Sequence, residues 1–144
     1  MKTLTLSANI NTMKKIILKP APNIAPRGEQ SGVFHDITQS IVTDANEAQT
    51  ANNLSLVVQL DATDPMGKNY QVQKKYNLLG RGFASFSKDF ESWKGRPLTE
   101  DEIEGFDADV LLKGKKVVCI IKHRIDGKDT VPVVKAFLPP KQTT

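Results

Sequence analysis

The chain is poor in the residues that most enzyme chemistry uses. Its 144 residues hold one cysteine and two histidines, and aromatic side chains make up 6%. A lone thiol, Cys119, cannot close an intramolecular disulfide, so nothing asks for an oxidising compartment. With no Cys-x-x-Cys pair, and with His35 and His123 far apart in strand-like segments, there is no zinc-ligand spacing. Gly80-Arg81-Gly82 is not closed by Gly-Lys-Ser/Thr and is no phosphate loop. The acidic run around Gly105 lacks the spaced ligands and terminal Glu of a calcium loop. The expectation is a non-enzymatic protein without cofactor or metal. Long apolar runs are missing too: none approaches the roughly 20 residues of a membrane span. Residues 1–10 carry one basic residue, Lys2, and an interrupted apolar set, so a signal peptide is not expected and a cytoplasmic location is. Met13, followed by Lys14-Lys15, would also serve as a start.

What is present is charge sorted by region. The net charge is only +4. Residues 68–96 carry seven basic and two acidic side chains, and residues 113–124 carry five basic and no acidic ones. Between them, 97–112 holds six acids and no base. Such sorting suits a polyanion at one face. Residues 1–31, with Pro20, Pro22, Pro26 and Gly28 and a net charge of +4, read as a flexible basic arm preceding a domain at 32–140.

Strand signals follow. Val33 to Asp44 reads as a first strand with Val33, His35, Ile37, Gln39 and Ile41 on one face, and Asp44 to Asn53 as a long polar connection. Leu54, Leu56, Val58 and Leu60 alternate with Ser55, Val57, Gln59 and Asp61, giving a second strand with one buried face. A turn at Asp64-Pro65-Met66-Gly67 leads to a third, Tyr70 to Leu79. There Tyr70, Val72, Lys74, Tyr76 and Leu78 share one face, and Gln71, Gln73, Lys75 and Asn77 the other. Lys115 to Lys122 and Thr130 to Phe137 form the last two strands, joined at Asp126-Gly127-Lys128.

Between the third and fourth strands, Phe83, Phe86, Phe90 and Trp93 recur at spacings of three, four and three. That puts four rings on one stripe of a helix. Gly95 and Pro97 stop it. Thr99 with Glu102 is a capping box, flanked by Leu98 and Ile103 at staple positions, so a second short helix starts there and ends near Gly105. Five antiparallel strands with a helix between strands 3 and 4 is the order of an OB-fold barrel, here all-β with one main inserted helix as its plug; a sandwich or an α+β sheet with a helix on one side would give the same string.

The run Asp89-Phe90-Glu91-Ser92-Trp93-Lys94-Gly95-Arg96-Pro97-Leu98-Thr99, with Glu102, Gly105-Phe106-Asp107, Leu111-Leu112, Gly114-Lys115 and Cys119, resembles a pattern in small phage and prophage proteins. Those look like OB-fold single-stranded-DNA-binding proteins of replication or recombination modules. The resemblance covers about residues 32–138, is most specific over 89–119, and departs in the inserted Lys113 and in phenylalanines where leucine is usual in the helix. It implies fold and class, carries no site residues, and would place the protein in a host cytoplasm.

Single strands are held by basic grooves and by rings on which bases stack, and an OB-fold reads with strands 2 and 3 and adjoining loops. The candidate nucleic-acid-binding residues are therefore Lys68, Tyr70, Gln73, Lys74, Lys75, Lys122 and Arg124, with Gln59 and Gln71 beside them. Tyr76 fits the core better, and Tyr70 fits either role. Single-stranded DNA is the expected partner, with RNA and self-association left open. The alternative is an OB-fold interaction module that docks a replication or recombination partner through the acidic 100–109 segment.

Overall fold

The computed structural model describes residues 24–141. Its elements are β1 (Gly28–Thr43), β2 (Gln49–Thr63), β3 (Asn69–Asn77), α1 (Arg81–Lys94), α2 (Glu100–Glu104), α3 (Ala108–Leu112), β4 (Lys116–Asp126) and β5 (Asp129–Leu138). The strands form one antiparallel sheet in the order β3-β2-β1-β4-β5. Among the described residues no ladder joins β3 to β5, so the sheet does not close into a barrel. Helix α1 packs against both of these edge strands.

β1 organises the sheet because it pairs on both sides. Its first part, Gly28–Val33, lies against β4, and Gly32–Thr43 lies against β2. The register shifts between Phe34 and Asp36, so His35 is an extra residue that bends the strand. This bulge corrects the sequence-based face: Val33 pairs with Gln59 on the outer side, whereas Phe34 and Ile37 pair with Val58 and Leu56 of the core. At the bend the backbones close up. A Cβ on Gly32 would sit 2.5 Å from the Gln59 carbonyl oxygen, so the position takes only glycine.

The 44–53 segment is also corrected. It is not a long connection but a tight turn, Asp44 to Ala48, followed by the start of β2. The Asp44 carboxylate accepts from the Asn46 and Ala48 N–H groups, as the Asp64 carboxylate does from Met66 and Lys68 in the β2–β3 turn. Hairpin β1–β2 thus runs beyond β3, whose pairing ends at Asn53–Asn77.

Apolar alternation produces the core. Leu54, Leu56, Val58 and Leu60 are all nearly inaccessible, facing Phe34, Val117, Cys119, Ile121 and Phe137. The helix stripe fills the space beneath: Phe86, Phe90 and Trp93 are buried and Phe83 half-buried. Trp93 meets Phe34 edge-on at 5.1 Å between ring centroids, and its indole N–H donates to the Lys116 carbonyl at 2.9 Å. Gly95 ends α1 in left-handed geometry, its N–H returning to the Glu91 carbonyl.

The capping box forms as its sequence demands, with Glu102 N–H on Thr99 Oγ1 and Thr99 N–H on Glu102 Oε1. Ile103, however, is 47% exposed rather than fastened as a staple. A third helix was not expected; Asp107 caps it by accepting from the Val110 N–H. The fold is therefore mostly β with three helices, not one. Residues 1–23 of the expected arm lie outside the described residues. Within its remainder Ala25 is buried, its carbonyl 2.7 Å from His123 Nε2, and Gly28–Ser31 belong to β1.

Candidate nucleic-acid interface

Two faces of the sheet divide the candidate residues. Pairing across β1, β2 and β3 sets up transverse rows on the outer face. These are Val33–Gln59–Gln71, Asp36–Val57–Gln73, Thr38–Ser55–Lys75 and Ser40–Asn53–Asn77. The surface is amide- and hydroxyl-rich, with Lys75 as its cation, and a shallow depression lies over Thr38, Ser40, Asn53, Ser55, Lys75 and Asn77. Gln73 Nε2 donates to Ser55 Oγ at 2.6 Å, which fixes that amide against the neighbouring strand. Gln59, Gln71, Gln73 and Lys75 are thus brought together, and Lys68 stands exposed in the adjacent turn.

Lys74 is placed elsewhere. It points under the sheet, where its Nζ lies 2.7 Å from Asp89 Oδ2 on α1, and the same oxygen accepts from the Tyr76 hydroxyl at 2.5 Å. The ammonium also lies 5.6 and 5.8 Å from the Tyr76 and Phe137 ring centroids. Lys74 therefore ties β3 to the helix. Asp89, its side chain 15% exposed, is accordingly turned to the sheet rather than to solvent. Tyr76 is 5% exposed, and burial, with the Asp89 hydrogen bond second, pushes its phenol pKa well above the usual range. Tyr70 is half-buried against the core.

Lys122 and Arg124 lie exposed opposite Val133 and Val131, in the part of hairpin β4–β5 that runs past the start of β1. Along β1 the two hairpins run off opposite ends. The β1–β2 hairpin carries Asp36, Asp44 and Glu47 and no lysine or arginine between 35 and 53; the cation beside it is Lys75 of β3. No aromatic ring among the described residues is fully exposed.

The remaining titratable groups are structural. Burial pushes the Cys119 thiol up to about 12, so the protonated, unreactive form prevails at neutral pH. Glu102 is held down to about 2 by the Arg96 guanidinium, which grips both carboxylate oxygens, and by the Thr99 N–H. Among the described residues no three His, Cys, Asp or Glu side chains gather as metal ligands. None of the described helices is long and apolar enough to cross a membrane.

One cation escaped the sequence-based set: Lys116 pairs with Val33 and so prolongs the outer row Gln71–Gln59–Val33 by one strand. The signal was the acid-free run 113–124, but which of its lysines face outward depends on register. Compared with protein-family models and with curated protein sequences, the chain matches none.

Proposed function

We propose that this is a non-enzymatic OB-fold protein that binds single-stranded DNA with little sequence preference, in a phage or prophage replication or recombination module. One observation carries the reading: the strand order β3-β2-β1-β4-β5, with α1 lying against the two edge strands. An OB-fold is a partly open five-stranded barrel of this connectivity, and its strand 2–3 face and hairpin loops are where oligonucleotides bind. The outer face of β2 and β3 supplies amides, hydroxyls and Lys75, without a deep cleft that would select one base. The phage setting rests on the resemblance over residues 89–119.

Fluorescent oligo-dT and duplex DNA titrated at 50 and 200 mM salt provide the test. Binding to oligo-dT, preferred over duplex and weakening with salt, is the expected result. A protein that binds no single strand at low salt removes the reading.

The second reading, a docking module, has its own observation. Ile103 and Val110 are 47% and 70% exposed amid the six acids of residues 97–112, an apolar pair in an acidic frame. Reversing Glu100, Asp101 and Glu104 would then abolish capture of a basic protein partner while leaving oligonucleotide binding intact.

A further inference from the structure

A cluster of unpaired cations lies away from the β2–β3 face. Lys94 at the end of α1, Lys115 and Lys116 at the start of β4, and Pro139-Pro140 after β5 line one shallow groove with Trp93 as its floor. A second groove continues from it, sharing Lys116 and Pro140 and reaching Lys141, Val33 and Asp61. Among the described residues Lys94, Lys115 and Lys116 have no acidic partner. Acids beside the grooves include Asp61, in the second groove, Glu29, 3.6 Å from Lys141, and Glu91, exposed one turn before Lys94 on α1. Three features hold the patch in shape: the Trp93 indole bonded to the Lys116 carbonyl, the Lys94 ammonium 4.9 Å from the Trp93 ring centroid, and the stiff proline pair.

The patch is continuous with the proposed binding face. Gln71, Gln59, Val33 and Lys116 form one outer row across β3, β2, β1 and β4, spanning about 14 Å at the usual strand spacing of about 4.8 Å. We infer that Lys94, Lys115 and Lys116 are the phosphate-anchoring site for single-stranded DNA, the strand leaving the amide face of β2 and β3 along this row. Lys74 is excluded from that role by Asp89. This rests on the single-strand-binding reading and adds where the backbone is held.

The test compares two triple variants in fluorescence anisotropy with a labelled oligo-dT between 50 and 200 mM NaCl. Lys94→Gln/Lys115→Gln/Lys116→Gln should flatten the log–log salt slope by about 2, at roughly 0.7 per phosphate contact on single strands. The ratio of wild-type to variant affinity should then shrink by about 18-fold from 50 to 200 mM. The corresponding lysine-to-arginine triple, which keeps the charges, should bind like wild type. Thermal melts followed by circular dichroism should show both variants folded. If the glutamine triple keeps the wild-type slope while Lys75→Gln/Lys122→Gln/Arg124→Gln loses it, the anchoring site is wrong and single-strand binding stands. If the wild-type protein binds no oligonucleotide, both fall.

Discussion

Replacing Asp89 by alanine is the sharpest test of how the sheet is fastened to α1. The carboxylate serves two donors at once, Lys74 Nζ at 2.7 Å and the Tyr76 hydroxyl at 2.5 Å. Its side chain is 15% exposed and that of Lys74 26%. Removing one member of a fully buried pair costs about 3–5 kcal/mol because the other charge is stranded. Lys74 retains some access to water, which reduces that figure, whereas the buried Tyr76 hydroxyl loses its acceptor at about 1–3 kcal/mol. The expected loss for Asp89→Ala is therefore about 2–4 kcal/mol.

The reverse deletion should cost less. In Lys74→Met the thioether side chain still fills the space beside Tyr76 and Phe137, but the Asp89 carboxylate, 15% exposed, loses its cation and keeps only the tyrosine bond, so the cost should be about 1–3 kcal/mol, below that of Asp89→Ala. Urea unfolding followed by Trp93 fluorescence and circular dichroism gives both numbers, and the double variant gives the coupling. If Asp89→Ala costs under about 1 kcal/mol, or Lys74→Met costs the more of the two, the two-donor account of Asp89 is refuted. Lys74→Met should also leave the salt slope of oligonucleotide binding unchanged, since this ammonium is engaged beneath the sheet.

Further outcomes follow from single contacts. Trp93→Ala should destabilise by about 3–5 kcal/mol in urea unfolding followed by circular dichroism alone, because a buried ring and its bond to Lys116 are lost together. Gly82→Ala should cause severe misfolding in expression and melting tests, since its Cβ would meet the Asn77 carbonyl at 1.5 Å. Glu47→Gly should raise stability by up to about 1 kcal/mol, as Glu47 holds φ 63° where the β2–β3 turn has Gly67. Glu102 is depressed from 4.5 to about 2. Its contribution is therefore complete above pH 4.5 and disappears as pH falls toward 2, and carboxyl NMR of Arg96→Met should show the pKa move back up.

Regular local patterns made most of the elements legible. The Leu54–Leu60 alternation, the ring stripe of α1, the Thr99 box and the Asp126-Gly127 turn each state their structure within a few residues. Two misreadings have physical causes. The turn at 44–48 repeats the chemistry of the turn at 64–68, with Thr-Asp opening both, yet carries Glu47 where a glycine would have announced the left-handed residue. The bulge at His35 shifts facing by one residue, which no alternation within β1 alone can show, because the extra residue exists only relative to β2. The site was legible as a charge distribution but not as a surface. Lys74 and Lys75 are adjacent in sequence, yet the pleat sends one to Asp89 and the other to solvent. Lys116 joins the outer face only through pairing with Val33.

If the proposed function holds, the allocation of rings limits how a single strand could be held. Phe34, Tyr76, Phe86, Phe90, Trp93 and Phe137 are all buried, because the unclosed side of the sheet must be filled by bulky side chains meeting from β1, β3, β5 and α1. What remains outside on β1–β3 is chiefly glutamine, asparagine, serine and threonine, with Lys75, Asp36, Val33 and Val57 among them. Among the described residues no aromatic ring stands on this face; the candidate for base stacking, at about 1–3 kcal/mol per base, is Tyr70, half-buried on the core side at the start of β3. Under the proposed reading, phosphate contacts would supply most of the affinity, and these carry no sequence information. Weak base preference and steep salt dependence would then both follow from one packing requirement. A Tyr70→Ala variant separates the contributions: a loss of oligo-dT affinity that persists at 200 mM salt assigns Tyr70 to stacking, whereas unchanged affinity leaves the lysines to hold the strand.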